Sequence, residues 1–298
     1  MLFRSATFWQ AINDFGIYEP TNPCIGMHAA FSPRKFGDAD FVFPDPSVPA
    51  PFVKQNEEDT AINDDDTQLI EISAEWLEYS ASMVACASTT GRTLALTTGY
   101  RMTKALADAL RVNSGVDIIE HHRGEKLNDV IDEFKSRSNT LLITPAGWEG
   151  INLPGFIDNV VVVQLPFSPN DGVHTQALFR HLIARGKLRH QAAKIVSTTR
   201  VILAMKKFKQ GFGRGIRTHK DRMVFWVADP RFPASTLFNH DMSGRVPTRG
   251  TARSGGMFHS AIPIRFRSGI GNPFDERAKM FLADGSFVTS EEILDAVV

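Results

Sequence analysis

Short apolar runs alternate with amphipathic segments through the middle of the chain. Three of the runs, "TLALTTGY", "TLLITP" and "NVVVVQLPF", are apolar almost throughout, which is typical of buried parallel strands. Between them, "RMTKALADALRV" predicts a helix. The segment "KLNDVIDEFKSRS" predicts another helix, whose apolar face carries Leu127, Val130, Ile131 and Phe134. The alternation predicts an α/β fold, an open parallel sheet with helices on both faces.

The pattern also predicts how this sheet begins and ends. A first helix is expected within "DTQLIEISAEWLEYSASMVACAS", where Leu69, Ile70, Ile72 and Trp76 recur near helical spacing. A long basic stretch from Asp171 to Met205 predicts a helical insertion. The segment "RMVFWVADP" is expected to be the last strand.

Three regions follow from this pattern. Residues 1–66 are irregular, with short strands such as Asp40–Phe43, and residues 67–232 form the α/β domain. Residues 233–298 are a partly irregular C-terminal extension, with a flexible basic linker at 243–256. Near its end, a turn is expected at Asp284–Gly285, and a capping box pairs Thr289 with Glu292.

The charge of the whole chain is uninformative, but one region is strongly basic. The chain has 33 basic and 33 acidic residues, so its net charge favours no particular partner. Residues 180–222, in contrast, contain thirteen Lys and Arg and a single acid, Asp221. Such a block is either a solvated face or a surface for a phosphate-bearing partner.

Cysteine and apolar content exclude several classes. Two cysteines, Cys24 and Cys86, provide neither a disulfide framework nor a CxxC site, and an iron–sulfur cluster needs about four ligands. No metal site is therefore expected. No apolar run approaches the roughly 18–20 residues that span a bilayer, and the N-terminal residues show no charged-then-apolar signal pattern. A cytoplasmic protein without membrane contact is the simplest expectation.

The stretch "QGFGRGIR" presents two arginines, Arg214 and Arg217, among three glycines. The dinucleotide pattern G-x-G-x-x-G fails because position 216 is Ile and a basic helix precedes it. Two arginines three apart on one helix would point the same way and suit phosphate oxygens. The alternative is a salt-bridged surface pair.

Four segments follow one another along the chain. They are "SAT" at 5–7, "TLALTTGYRM", "AGWEGINLPG" leading into "VVVVQLPFSP", and "QGFGRGIR" leading into "VFWVADPRF". Together they resemble the second half of superfamily 2 helicases of the DinG/XPD type. The resemblance covers about residues 1–10 and 90–232 and implies a RecA-like motor domain. It makes residues 1–66 the remnant of a first motor domain plus a linker, with "SAT" marking where that domain is cut.

The resemblance implies a nucleotide-facing set. Gln210, Arg214 and Arg217 match the sixth motif, Q-x-x-G-R-x-x-R, and would face ATP across a cleft, with the arginines as finger residues. Glu149, Gly150, Asn152 and Gly213 are implied to lie at the ATP side as well. Asn152 stands where the family more often has Asp. Gly155, like Glu149 and Gly150, matches the fifth motif.

The same resemblance implies a nucleic-acid set at the ends of two strands. Thr98, Tyr100 and Arg101 match the fourth segment and would sit near the single-stranded backbone, together with Thr144 at the next strand end. Among aromatic and histidine residues nearby, Trp148 is expected to pack rather than stack on a base. His121 and His122 are expected to be a simple polar strand end.

Two further motifs are missing from these residues. There is no G-x-x-x-x-G-K-[ST], and no DEAH-like box follows an apolar strand. ATP and Mg²⁺ would then bind only with a first motor domain, and the chain would be inactive as an ATPase without it. The implied function is the C-terminal half of a 5′–3′ DNA helicase.

The expected partners are single-stranded DNA, the N-terminal helicase half, and a CRISPR or repair complex. The Arg-rich tail and the absence of an iron–sulfur motif are compatible with the branch associated with type IV CRISPR systems. The alternative function is a non-catalytic module, derived from a helicase, that binds nucleic acid or docks a protein.

Overall fold

A computed structural model describes residues 37–53, 71–168, 172–232, 258, 261–263, 266 and 277–289. Its strands are β1 (Asp38–Pro44), β2 (Phe52–Val53), β3 (Glu71–Ile72), β4 (Thr93–Leu96), β5 (Asp117–Glu120), β6 (Thr140–Thr144), β7 (Asn159–Val162), β8 (Arg222–Val227), β9 (Ala278–Phe281) and β10 (Phe287–Thr289). Its helices are α1 (Ala74–Thr89), α2 (Tyr100–Asn113), α3 (Leu127–Ser136), α4 (Val173–Ala184) and α5 (Arg189–Phe212).

Eight of these strands form one open sheet in the order β10-β9-β1-β8-β7-β4-β6-β5. Every pairing is parallel except that of β10 with β9. The central strands β4, β6 and β7 are buried along their whole length, as their continuous apolar sequences predict. The remaining two strands, β2 and β3, pair antiparallel with each other.

Helices cover both faces of the sheet, which confirms the predicted fold class. One apolar core lies under α1 and α2 and includes Trp76, Met83 and Leu106. The other lies under α3 and α5 and includes Phe134 and Phe208. All four residues predicted for the apolar face of α3 pack here, three of them fully buried.

The sheet extends beyond the range that the sequence pattern assigns to the domain. The predicted strand at Asp40–Phe43 is confirmed as β1, but it lies inside the sheet, parallel to β8 and β9. The expectation that "RMVFWVADP" is the last strand is wrong, because β9 and β10 follow it. These two form a hairpin around the predicted turn at Asp284–Gly285, where Gly285 has φ +85°.

A buried tyrosine explains how these late strands are attached. The Tyr79 hydroxyl on α1 donates to the Phe281 carbonyl at 2.7 Å and accepts the Asp45 amide at 2.9 Å. The Asp45 carboxylate accepts the Ala283 amide at 3.1 Å. These bonds join β1, β9 and α1 over large sequence separations, which periodicity alone does not reveal.

The start of α1 differs from the expectation. The helix begins at Ala74, with the Ser73 side chain accepting the Trp76 amide as its N-cap. Ile72, which fits the helical spacing, belongs to β3 instead. Several other predicted features lie wholly or partly outside the described residues. These are Leu69, Ile70, the "SAT" segment, the 243–256 linker and the Thr289–Glu292 capping box.

Two connections matter for the site. Residues 145–158, here called the crossover segment, lead from β6 to β7, which flank β4 on opposite sides. Residues 172–212, here called the helical insertion, contain α4 and α5 and confirm the predicted helical stretch before the last motif. The long helix of the insertion, α5, ends at the glycine-rich segment that precedes β8.

Candidate functional site

The two arginines of "QGFGRGIR" do not share a helix. Helix α5 ends at Phe212, and Gly213 is its C-cap, with its amide bonded to the Lys209 carbonyl at 3.1 Å. Arg214 and Arg217 follow in a turn, residues 213–217, here called the glycine turn. The expected helical pair is therefore wrong, because glycines at 211, 213 and 215 weaken helix propensity just where the chain must leave the helix.

Arg214 points into the protein. It is only 9% exposed, and its Nε and Nη2 donate to the Trp148 carbonyl at 3.1 and 2.7 Å. Its Nη1 donates to the Ile151 carbonyl at 2.5 Å. All three guanidinium nitrogens thus bind backbone oxygens of the crossover segment, so Arg214 fastens that segment to the glycine turn.

The surroundings of Arg214 are electrostatically unfavourable for a cation. Burial, with a smaller contribution from Arg217, lowers the pKa of Arg214 to about 10, although Glu149 acts in the opposite direction. Arg214 therefore stays charged at neutral pH. Hydrogen bonds to the carbonyl oxygens at 148 and 151 stabilise its charge, and the exposed Glu149 is the nearby acid.

Two glycines allow this close packing. A Cβ on Gly211 would stand 2.9 Å from Leu96 and 2.9 Å from the Trp148 ring. A Cβ on Gly215 would stand 2.0 Å from the Met223 sulfur. Gly213, in contrast, has its nearest such contact at 3.4 Å, so its missing side chain is not a packing requirement.

Arg217 is exposed, unlike Arg214. Its Nη2 donates to the Ile151 carbonyl at 3.2 Å. Its amide and that of Thr218 both donate to one Asp221 carboxylate oxygen at 2.6 Å. Burial acts to raise the pKa of Asp221, but these amide bonds outweigh it and hold that pKa below its ordinary value. Asp221 thereby fixes the backbone from which Arg217 projects.

The crossover segment turns its aromatic side inward and its polar side outward. Trp148 is 1% exposed and donates from its indole nitrogen to the Thr97 carbonyl at 2.6 Å, which confirms its expected packing role. Glu149, Gly150 and Asn152 are exposed beside it. Gly150 has φ +79° and Gly155 has φ +70°, which explains why glycine suits both positions.

The structure therefore joins the glycine turn to the crossover segment through its two arginines. Arg214 joins the glycine turn to the backbone at 148 and 151, and Arg217 reaches the same Ile151 carbonyl. Among the predicted residues, those exposed are Glu149, Gly150 and Asn152 of the crossover segment, Arg217 of the glycine turn, and Gln210 of α5. Gly213 lies between them as the partly exposed helix cap.

The predicted nucleic-acid residues form a second group at the ends of β4 and β6. The Thr97 amide donates to the Thr144 carbonyl at 3.2 Å. Thr144 is fully buried, and its hydroxyl lies 2.7 Å from His121 Nδ1. Tyr100 packs its ring edge-on against His121 at 5.5 Å. Only Arg101 of the predicted set is well exposed.

Thr98 completes this second group. It is half-buried, and its hydroxyl donates to Gln164 Oε1 at 2.6 Å. The indole of Trp148 bonds the neighbouring Thr97 carbonyl, so the strand-end group and the crossover segment are directly linked.

Three contributors were not predicted by sequence reasoning. His121 bridges Tyr100 and Thr144, Gln164 holds Thr98, and Lys207 lies 5.7 Å from the Trp148 ring centroid. Gln164 directly follows the apolar run "VVVV", a signal that could have identified it, whereas His121 follows Glu120 at the end of β5. Lys207 lies among many lysines in α5, so no sequence pattern distinguishes it. Burial lowers its pKa, against the influence of Glu149.

The described part of the chain contains neither a metal-ion cluster nor a helix that could cross a membrane. Among those residues, no three His, Cys, Asp or Glu side chains are grouped so that they could hold a metal ion. None of the described helices combines the length and apolarity that crossing a membrane requires.

Comparisons with known proteins identify the family of this chain. A family model described as "Helicase C-terminal domain" matches residues 82–248, which is more than half of the chain. That match contains the strand-end group, the crossover segment, the helical insertion and the glycine turn.

Curated relatives carry helicase names. The ATP-dependent DNA helicase YoaA of Escherichia coli is 27% identical over 169 residues, 55% of this chain and 26% of the relative. The ATP-dependent helicase DinG of Mycobacterium tuberculosis is 28% identical over 177 residues, 59% of this chain and 25% of the relative. The chain spans about a quarter of the length of these relatives.

Solved structures give weaker likenesses. A structure titled "XPD_Helicase" has a TM-score of 0.45 and 18% identity, over 66% of this chain and 32% of that chain. The Xpd4 structure of S. tokodaii has a TM-score of 0.41 and 14% identity, over 76% of this chain and 44% of that chain.

Proposed function

The chain belongs to the helicase C-terminal domain family, and we propose that it acts as the second motor half of an ATP-dependent 5′–3′ DNA helicase. Its joined glycine turn and crossover segment face ATP and Mg²⁺ held by a first motor domain. The 298 residues include no P-loop pattern, so the chain is inactive as an ATPase without such a domain.

The observation that carries this proposal is the triple hydrogen bond from Arg214 to the crossover segment. The bonded residues are 63 and 66 positions apart in sequence, so these bonds join two distant segments into one unit, in which Arg217, Glu149 and Asn152 are exposed. Within this unit Arg217 acts as the finger, because its guanidinium is exposed while that of Arg214 is committed to carbonyls. Arg214 positions it.

Arg217 would stabilise charge that develops on the transferred phosphoryl group. A guanidinium suits this role because its planar donors match two phosphate oxygens. Gln210 is exposed on the last turn of α5, just before the glycine turn. Glu149 and Asn152 would respond to nucleotide state from the crossover segment.

The strand-end group is the proposed track for single-stranded DNA. Arg101 contacts phosphates directly, and Thr98 and Tyr100 lie beside the same strand. Thr144, being buried, holds this edge in place through His121 rather than touching DNA.

Reconstitution tests the proposal. The chain is combined with a P-loop motor domain of a DinG-type relative, and DNA-stimulated ATP hydrolysis is measured. Arg217→Ala should lower kcat by about a thousandfold, the lower end for arginine fingers. Lys279→Ala, which removes an exposed charge on β9, is the matched control and should leave the rate unchanged. An unchanged rate in Arg217→Ala would exclude the finger role.

A second candidate function is a non-catalytic module that binds nucleic acid or docks a protein. It is favoured by the helical insertion, since residues 172–220 contain no acidic side chain. This function predicts DNA binding that weakens steeply with salt and does not respond to ATP in the reconstituted mixture. A nucleotide-dependent change in DNA affinity would favour the motor instead.

A further inference from the structure

The first part of the helical insertion lies outside both apolar cores. Of the insertion's described residues, those that belong to a core all follow Leu203, beginning with Ala204 of α5. Helix α4 packs against α5, but none of its twelve residues is fully buried. The first part of the insertion is therefore held mainly by contacts between its two helices rather than by the sheet.

A row of aliphatic side chains lies exposed along this part of α5. Leu188 is the N-cap of the helix and is 59% exposed, and Ile195, seven residues later, is 38% exposed. Ile202, after another seven residues, is half-buried, and the adjacent Leu203 is 50% exposed. Residues seven apart lie on the same side of an α-helix, so the first three form one line. We call these four residues the aliphatic stripe.

The stripe has the spacing with which one helix packs against another. Apolar residues that recur every seven positions insert between the side chains of a facing helix. Two such repeats extend over about 21 Å of helix, the length of an ordinary partner helix. Large aliphatic side chains that lie in water in a continuous row are typical of an interaction surface rather than of scattered surface residues.

The charges beside the stripe are positive. Lys187 and Arg189 lie on either side of the first stripe residue in sequence, and Lys194 directly precedes the second; all three are exposed. None of the three has an ion-pair partner within the described part of the chain. Because residues 172–220 contain no Asp or Glu, no acid of the insertion compensates them. A partner that carries carboxylates beside an apolar face is therefore complementary to this surface.

The aliphatic character of the stripe distinguishes between two kinds of anionic partner. Unpaired bases of a nucleic acid stack on aromatic rings, and the stripe contains only Leu and Ile. Leucine and isoleucine side chains instead interdigitate with the aliphatic side chains of a second helix. These observations favour an amphipathic protein helix over a nucleic acid.

We propose that the aliphatic stripe docks an acidic amphipathic helix of a partner protein. The apolar face of that helix lies on the stripe, and its carboxylates lie beside Lys187, Arg189 and Lys194. This contact goes beyond the proposed motor function, because it involves neither the glycine turn nor the crossover segment.

Two labelled synthetic peptides test the proposal by fluorescence anisotropy with the full chain. Each has three heptads, about 21 residues, with Leu at the first and fourth positions. One carries Glu at the positions that flank this seam, and the other carries Lys there. Like charges keep each peptide from pairing with itself. The chain should bind the Glu peptide at least about tenfold more tightly than the Lys peptide.

Variants of the stripe locate the contact. Ile195→Gln should weaken binding of the Glu peptide about tenfold, since burial of one aliphatic side chain contributes about that factor. Val112→Gln removes an aliphatic side chain that is 82% exposed on α2, so it is the matched control and should leave binding unchanged. Leu188→Gln, at the exposed cap, keeps the test decisive if circular dichroism shows that Ile195→Gln does not fold.

A charge variant tests the second element of the contact. Lys194→Gln should weaken binding of the Glu peptide about threefold at low salt and less at high salt, because salt screens the attraction between exposed charges. Lys279→Gln, on β9, is the matched control and should change nothing.

Several results would overturn the proposal. Equal affinity for the two peptides would exclude an acidic partner, and unchanged affinity in the folded stripe variants would exclude the stripe. An oligothymidylate whose affinity falls in Ile195→Gln as much as that of the Glu peptide would assign the stripe to nucleic acid. A dimer of the unaltered chain in sedimentation, lost in Ile195→Gln, would assign it to a second copy.

The outcome is separable from the proposed motor function. Arg217→Ala should leave the affinity for the Glu peptide unchanged, and a loss of ATP hydrolysis in that variant would stand whatever the stripe binds. Ile195→Gln should leave ATP hydrolysis by the reconstituted motor unchanged, so a failure of peptide binding would not affect the assignment of the finger.

Discussion

Arg214 in the glycine turn is 9% exposed and gives its guanidinium to two backbone carbonyls, whereas Arg180 in α4 is exposed on a helix with no fully buried residue. Both belong to the same acid-poor stretch of sequence. The junction of turn and crossover segment thus uses a cation to fix the backbone. The helical insertion presents cations to solvent.

The difference between these two regions shows that charge density along a sequence does not separate structural from functional arginines. The residues that surround each arginine determine which role it has. Arg214 follows glycines that allow the chain to approach Trp148 closely, while Arg180 stands on a helix without a fully buried residue. The same contrast recurs within the junction, where Arg217 is exposed three residues after Arg214.

The largest effect on folding is expected for Arg214→Met. This change leaves the Trp148 carbonyl without either of its guanidinium donors and removes one donor from Ile151. It should lower the free energy of unfolding by about 2–4 kcal/mol, because each buried acceptor left unsatisfied costs about 1–3 kcal/mol. Denaturant unfolding measures it. Arg180→Met in α4 is the matched control and should change the free energy of unfolding by no more than about 0.5 kcal/mol. Equal losses in the two variants would contradict the structural role assigned to Arg214.

A smaller effect is expected for Gly211→Ala. The new Cβ would press on Leu96 and the Trp148 ring at 2.9 Å, so we expect a loss of about 1–3 kcal/mol despite the better helix propensity of alanine. Gly213→Ala, two residues further on, has room and a φ of −67°, so thermal unfolding should show no loss. A stable Gly211→Ala variant would mean that the junction is not closely packed.

The smallest effect concerns Asp221, which holds the Arg217 backbone. Its pKa is lowered in the folded state, so its contribution is present above the ordinary value near 3.8 and is lost as the pH falls through the folded-state pKa. Asp221→Asn should therefore be less stable by about 1 kcal/mol at pH 7, and the difference should vanish at lower pH. Denaturant titrations at several pH values measure it. A difference that persists unchanged at pH 2 would contradict the assignment.

Much of the sheet could be predicted from the sequence, because β4, β6, β7 and β8 are apolar runs bounded by polar residues. The role of β1 could not, since its partners β8 and β9 lie more than 170 residues away and nothing local marks the pairing. The predicted start of α1 was wrong for a related reason. Ile72 fits a helical period, but it lies in β3 and pairs with Phe52.

Sequence reasoning could suggest the members of the site but not their orientation. The resemblance to DinG/XPD-type helicases implied one site for Arg214, Arg217 and the crossover segment, and in the structure Arg214 hydrogen-bonds that segment. Spacing could not show that Arg214 turns inward, because this depends on carbonyls at 148 and 151 that no side-chain pattern reports. Thr144 is similar: its strand-end position was evident, but its burial against His121 requires the fold.

The affinity of the reconstituted motor for a transition-state analogue tests the central claim most directly. The claim is that Arg217, held by the junction, acts on the phosphoryl group during transfer. ADP with aluminium fluoride should bind Arg217→Ala at least about a hundredfold more weakly than the unaltered pair, while affinity for ATP changes only a few fold. An equal loss for both ligands, or no loss for the analogue, would contradict the account.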